Sequence, residues 1–212
     1  MSTSTRRRSW RTPLVLFAVA VVCVAAGWFA RGGTARNEPQ SVLSDADVAF
    51  AQQMSAHHQQ ALTMVDLLGP DAAREVRAVA DQIRTSQWRE IGTLTGWLEL
   101  VGAPMQAVTE TGGRHDHDGA HGAGEPNMAG MASDEELTRL HHATGAEREV
   151  LFLQLMIRHH QGGVAMASAA AQAGTTPAVR TRALSMVNGQ QQEISSMVVL
   201  LDQRGAQVLP YP

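Results

Sequence analysis

The chain predicts an all-α protein: a four-helix bundle built from two repeated helical hairpins, preceded by an N-terminal transmembrane or signal helix. Three observations carry this prediction. The stretch from Phe50 to Met64 recurs as Phe152 to Met166, with Phe, Met, His, His and Met matched at a constant spacing of 102 residues and no gap. Apolar residues in both copies step by four and three, which marks one face of an amphipathic helix. Aromatic residues make up only 4% of the 212-residue chain while Ala, Leu, Met and Val abound, a composition suited to closely packed helices.

Within the first copy the seam is Phe50, Met54, His57, Ala61, Met64 and Leu68; within the second it is Phe152, Met156, His159, Gly163, Met166 and Ala170. The first histidine of each pair therefore faces the core. An acidic residue three places before the Phe also repeats, Asp47 matching Glu149. A histidine in an apolar seam must satisfy two ring nitrogens, and leaving one unpaired costs roughly 1–3 kcal/mol. A Met three residues before His57 and four before His58 shares a helical surface with them, as Met156 does with His159 and His160, so one turn offers a thioether and imidazoles together. That donor set suits a soft cation such as Cu(I) or Ag(I). Met64 and Met166 lie seven residues beyond the first histidine of their copy, about 10 Å along the axis, and belong to a second site or to the core. The competing reading is a hydrogen-bonded buried histidine with Met filling gaps.

Taken in order, residues 1–31 combine a basic flank, Arg6, Arg7, Arg8 and Arg11, with an uncharged apolar run from Pro13 to Ala30. Such a run approaches bilayer-spanning length and, with the basic end inside, sends the rest of the chain out of the cytoplasm. It is either a membrane anchor or a cleaved signal ending near Ala35. Cys23, the sole cysteine, falls inside it, so the exported part has neither disulfides nor thiolate ligands. Residues 32–43 are a polar linker. The bundle domain spans 44–205 and opens on the capping box Ser44-Asp-Ala-Asp47.

The first helix runs to Leu68, where Gly69-Pro70 stops it and Pro70 opens the second. The second, with seam Ile83, Gln87, Glu90, Leu94, Trp97 and Val101, ends before Gly102; Trp88 and Trp97 serve as packing anchors. Residues 103–131 form a Gly-rich loop carrying His115, His117, His121, Met128 and Met131, read as a metal-capturing arm or a solvated linker. Ser133-Asp-Glu-Glu136 caps a short helix bearing a surface pair, His141 and His142. Gly174 ends the third long helix, Thr176-Pro177 starts the last, and Gly205 ends it. The last seam, Met186, Gln190, Glu193, Met197, Leu200 and Arg204, matches that of the second helix at an offset of 103. The hairpin as a whole is therefore the repeat unit. Gln87, Glu90, Gln190 and Glu193 interrupt apolar seams at mid-helix and either meet the histidines or line a partly wet edge. Residues 206–212 are a tail.

Met156-Ile-Arg-His-His-Gln-Gly162, with Phe152 before it, Met166 after it and Gln190-Gln-Gln-Glu193-Ile194 further on, resembles domain-of-unknown-function family three hundred and five, which includes CopM-type copper-binding proteins. The likeness extends from about Asp45 to Leu201. It implies a ferritin-like four-helix fold and an exported or membrane-anchored bacterial protein that binds copper or silver in metal resistance. It also implies metal ligation by Met54, His57, His58, Met156, His159 and His160, and further by Met64 and Met166. The chain departs from the family pattern in having Arg148-Glu149 before the second Phe and Leu94 after Glu90.

A formal charge of −3 leaves no electrostatic footprint for nucleic acid, and no nucleophile, base and acid arrangement or phosphate-binding Gly loop is present. The expected function is extracytoplasmic binding of Cu(I), and of silver by the same chemistry, with the metal ion and, through the N-terminal segment, the membrane as partners, and without enzymatic activity. Two alternatives belong to other classes: a ferritin-like iron oxidase, which would need Glu-x-x-His on two helices, a motif no predicted helix carries, and a metal-free interaction module at the membrane.

Overall fold

In a computed structural model the described residues are 42–106, 128–173 and 175–211. The N-terminal segment, the His-rich part of the central loop and Gly174 lie outside them. Among the described residues five helices follow one another: α1 (Asp45–Leu68), α2 (Arg74–Val101), the short α3 (Asp134–His142), α4 (Gly145–Gln172) and α5 (Pro177–Asp202). Among the described residues none of these helices is long and apolar enough to cross a membrane.

Local chemistry fixes most ends. Ser44 and Ser133 each form a complete capping box, with Asp47 and Glu136, at the starts of α1 and α3. Gly102, in the left-handed region at φ 67°, closes α2, and Pro177 occupies the first turn of α5 behind an extended Thr176. One expected end is displaced. Helix α2 starts at Arg74 rather than Pro70, because the Ala73 amide is taken by Glu149 Oε1 at 2.6 Å and Ala73 becomes the cap. The end of α5 falls at Asp202, three residues before Gly205.

The two hairpins interlock through the repeated acids. Asp47, in the first turn of α1, accepts from the Thr176 amide at the start of α5 at 3.2 Å, while Glu149, near the start of α4, holds the start of α2. Each hairpin thus caps the second helix of the other. These contacts run α1 antiparallel to α4, and Ser86 to Glu193 and Thr93 to Arg182 run α2 antiparallel to α5. Helices α2 and α4 consequently point the same way, and their link returns along the bundle as one long crossover, a connectivity also found in ferritin-like folds.

Buried side chains form two apolar halves. Phe152, Met156, Met64 and Met197 belong to one; Phe50, Met54, Leu98 and Met186 belong to the other, with Met166 packed against it. Because α1 and α4 are antiparallel, the early Met of each repeat shares a half with the late Met of the other. The α2 seam drifts from the expected one: Ile91 and Leu98 are buried, while Trp97 and Val101 are only partly so. A 3.6-residue period walks away from a strict 3.5-residue seam over so long a helix. Trp88 is 59% exposed and anchors nothing, since it stands one residue beyond buried Gln87, about 100° further round the helix.

The crossover leaves the α2 end with Pro104 O bonded to Gln52 Nε2 and crosses the middle of α1 and α4 at residues 128–132. Gln60 fastens it by accepting from the Ala132 amide at 2.8 Å and donating to Ala132 O at 2.9 Å. Gly162, the position matching Gln60 in the second repeat, makes room for it: a Cβ there would fall 1.7 Å from Ala129 O. Gly162→Ala is therefore expected to destabilise the fold by about 1–3 kcal/mol through backbone overlap. Gly92→Ala, on open helix surface, is expected to stabilise by up to about 1 kcal/mol. Urea unfolding of the two variants beside the parent checks both signs.

Candidate metal centre

Between the apolar halves lies a layer of four imidazoles, all at most 1% exposed. The second histidine of each pair is as deeply buried as the first, which the seam alone did not predict, because Glu90 and Glu193 reach the second histidines from the partner helices. His160 Nε2 donates to Glu193 Oε2 at 2.7 Å. His58 Nε2 lies 2.8 Å from Glu90 Oε2, close enough for an ion pair but without the alignment of a proper hydrogen bond. Ser86 Oγ donates to the other Glu193 oxygen at 2.8 Å. The first histidines turn to backbone: His57 Nε2 meets Ala129 O of the crossover at 3.3 Å, and His159 Nε2 meets His57 O at 3.0 Å. The His57 and His159 rings stack with centroids 3.7 Å apart.

Carbonyl and carboxylate oxygens only accept, so in His57, His159 and His160 Nε2 carries the donated proton. A neutral ring then keeps its lone pair on Nδ1. The Nδ1 atoms of His57, His58 and His160 are buried and have no partner. Imidazoles that bind metals characteristically donate their other nitrogen to a carbonyl or carboxylate, which fixes tautomer and orientation; His57 and His160 have that arrangement with the ligating atom left free, and His58, 2.8 Å from Glu90, approaches it. Met54 and Met156, fully buried, lie one turn before His57 and His159. Among the described residues no three His, Asp or Glu side chains converge as a ready cation cage. What the layer offers is imidazole nitrogen with thioether sulfur, a set fitted to a soft ion.

Electrostatics keep the stacked pair uncharged. Burial, reinforced by neighbouring histidines, lowers the pKa of His57 to about 3 and that of His159 well below 6.5. Burial pushes Glu193 upward, but the bonds from His160 and Ser86 and the nearby histidines outweigh it, so its pKa falls below 4.5.

Of the expected ligands, Met54, His57, His58, Met156, His159 and His160 gather in or beside this layer, whereas Met64 and Met166 sit further along the bundle. Gln87 and Gln190 are buried but bond to no histidine; Gln190 packs against Gly163, and neither of its amide atoms has a partner. His141 and His142 are exposed. His115, His117 and His121 lie outside the described residues. The crossover peptide over His57 is the feature that sequence reasoning missed, although the divergence of the repeats at Gln60 and Gly162 was its signal.

Residues 47–201 match the family model described as Domain of unknown function (DUF305). No curated protein matches the chain. Among solved structures, a DUF305 protein from Streptomyces coelicolor described as secreted is 34% identical, with a TM-score of 0.67 over 78% of this chain and 96% of that one. A DUF305 fragment from Deinococcus radiodurans is 32% identical, with a TM-score of 0.63 over 76% and 98%. CopM is similar in two states: 27% identity and a TM-score of 0.59 for its Cu(II)-bound form, 25% and 0.55 for its Cu(I)-bound form, each covering 74% of this chain and 96% of CopM.

The lowered histidine pKa values make stability depend on pH. Below about 6.5 the unfolded chain takes up protons that His57 and His159 refuse in the fold, so stability is full above that pH and falls on acidification towards the folded values, by up to about 1.4 kcal/mol per pH unit for each ring. Glu193, its folded pKa below 4.5, adds a second loss under more acid conditions. Unfolding measured in metal-free buffer is expected to show an early decline from pH 6.5 that His159→Gln makes shallower.

Proposed function

We propose that this chain, which belongs to the DUF305 family, is a copper-binding protein that holds Cu(I) outside the cytoplasm on the Met and His side chains of its central layer. The observation that carries this reading is the set of buried, unpartnered Nδ1 atoms on His57, His58 and His160, with the thioethers of Met54 and Met156 one turn away. An apolar protein interior does not leave such atoms unpaired without cost, and a soft cation would remove that cost. CopM, similar over three-quarters of this chain, was crystallised with Cu(I) and with Cu(II), which supports copper as the metal. Silver(I) follows from the same softness.

The antiparallel bundle gives Met64 and Met166 a role consistent with this reading. Met166 shares a half of the core with Met54, and Met64 with Met156, so a late Met of one repeat can supply a second thioether beside the early Met of the other. Glu90 and Glu193 are committed to the second histidines and serve to orient them, an arrangement that favours a carrier of copper over an iron oxidase built on ligating carboxylates, and a binding role over an enzymatic one. Location outside the cytoplasm is supported by the basic and apolar N-terminal sequence and by the Streptomyces coelicolor relative described as secreted.

Met54→Leu combined with Met156→Leu keeps apolar volume and costs little stability. The pair is expected to weaken Cu(I) retention, measured against a competing chelator, by at least about tenfold. A hydrogen-bonded polar core with no metal role predicts no change in retention. A reporter fused after Pro212 is expected to be active only outside the cytoplasm.

A further inference from the structure

The crossover does more than cover the bundle. Residues 128–132 carry two methionines in one tight turn, closed by the Met131 amide donating to Met128 O at 3.2 Å. Both side chains are half-buried and both line an outer cleft of about 710 Å³ together with Glu136, Arg158 and Pro210. The turn is held from every side. Gln60 grips Ala132 with two hydrogen bonds, Arg158 donates to Met131 O at 3.4 Å, and Gly130 and Gly162 allow backbone contact with α4. Arg158 also forms a two-pronged pair with Glu136, so its charge is balanced and does not repel a cation in the cleft. On the inner side of the same turn, Ala129 O meets His57 Nε2.

Two thioethers mounted on a tethered turn are ordered before any ligand arrives, which is the condition for a site rather than a loose tract. They carry no charge and no proton to displace, and their softness selects Cu(I) or Ag(I) over Zn(II) or Ca(II). We propose that Met128 and Met131 form an outer thioether site for a soft monovalent cation, from which the metal passes by ligand exchange, without change of oxidation state, to the histidine layer one peptide beneath. The inference rests on the copper reading of that layer, but it concerns a separate pair of ligands and predicts its own signals.

The test uses the full chain with its methionine methyl groups labelled with carbon-13 and titrated with Ag(I), followed by nuclear magnetic resonance. The methyl signals of Met128 and Met131 are expected to shift at the lowest Ag(I) additions, ahead of Met54 and Met156. In the volume-preserving variant Met128→Leu/Met131→Leu, Met54 and Met156 are expected to reach the same final shifts, several-fold more slowly in rapid mixing. Met128 and Met131 signals that stay unmoved while Met54 and Met156 shift would overturn the outer site and leave the inner one standing. Shifts confined to Met128 and Met131 would sustain the outer thioether pair, overturn the transfer inward and refute the copper reading of the layer. No shift anywhere refutes both. Loading of the double variant at the parental rate would overturn the transfer role.

Discussion

Four imidazoles at the centre of an apolar bundle are the constraint on which the rest of this structure depends. Each ring brings two polar nitrogens into the buried interior, where an unpaired one is costly. The fold answers on one side of every ring. Glu193 and Glu90 come from the second helix of each hairpin to the second histidines, and two backbone carbonyls, those of His57 and Ala129, serve the first. Each partner is an acceptor, so the tautomers of His57, His159 and His160 follow from the architecture. The layer is thereby organised around atoms that remain unanswered.

Holding such a layer in register requires that the hairpins not slide. Asp47 and Glu149 achieve this from opposite ends of the bundle, each near the start of its own helix and each fastened to the start of a helix in the other hairpin. Glu149 is further tied to Arg204, whose Nε donates at 2.8 Å. Burial raises its pKa, but the Ala73 amide and Arg204 more than compensate, so the carboxylate stays charged below its usual range. The acids that look like ordinary residues near helix starts in the sequence are thus the joints between repeats, and the geometry of the histidines depends on them.

Much of this was legible in the chain. The repeat at fixed spacing, the seams and the Ser44 and Ser133 capping boxes are local or periodic signals, and they produced the expected helices. Of the four polar seam residues expected to meet the histidines or line a wet edge, Glu90 and Glu193 reach them and Gln87 and Gln190 do not, a division that the seam pattern does not make. Other features depend on residues distant in sequence. The start of α2 at Arg74 is decided by Glu149, 76 residues beyond Ala73. The outward position of Trp88 follows from a one-residue phase difference that hydrophobicity alone does not resolve. The peptide over His57 comes from a segment with no periodicity at all, so only the mismatch between Gln60 and Gly162 pointed to it.

That mismatch is possible only because the two hairpins belong to one chain. Two identical hairpins paired as separate subunits would carry the same residue at both positions. With Gln on each, the side chain at the second would occupy the space taken by Ala129; with Gly on each, Ala132 would lose both of its hydrogen bonds to Gln60. Joining the hairpins covalently releases them from that identity, because one copy can become the clasp and the other the groove. The linker that joins them is itself the strand so held, and its passage over one face makes the two faces of an otherwise twofold-symmetric bundle chemically distinct.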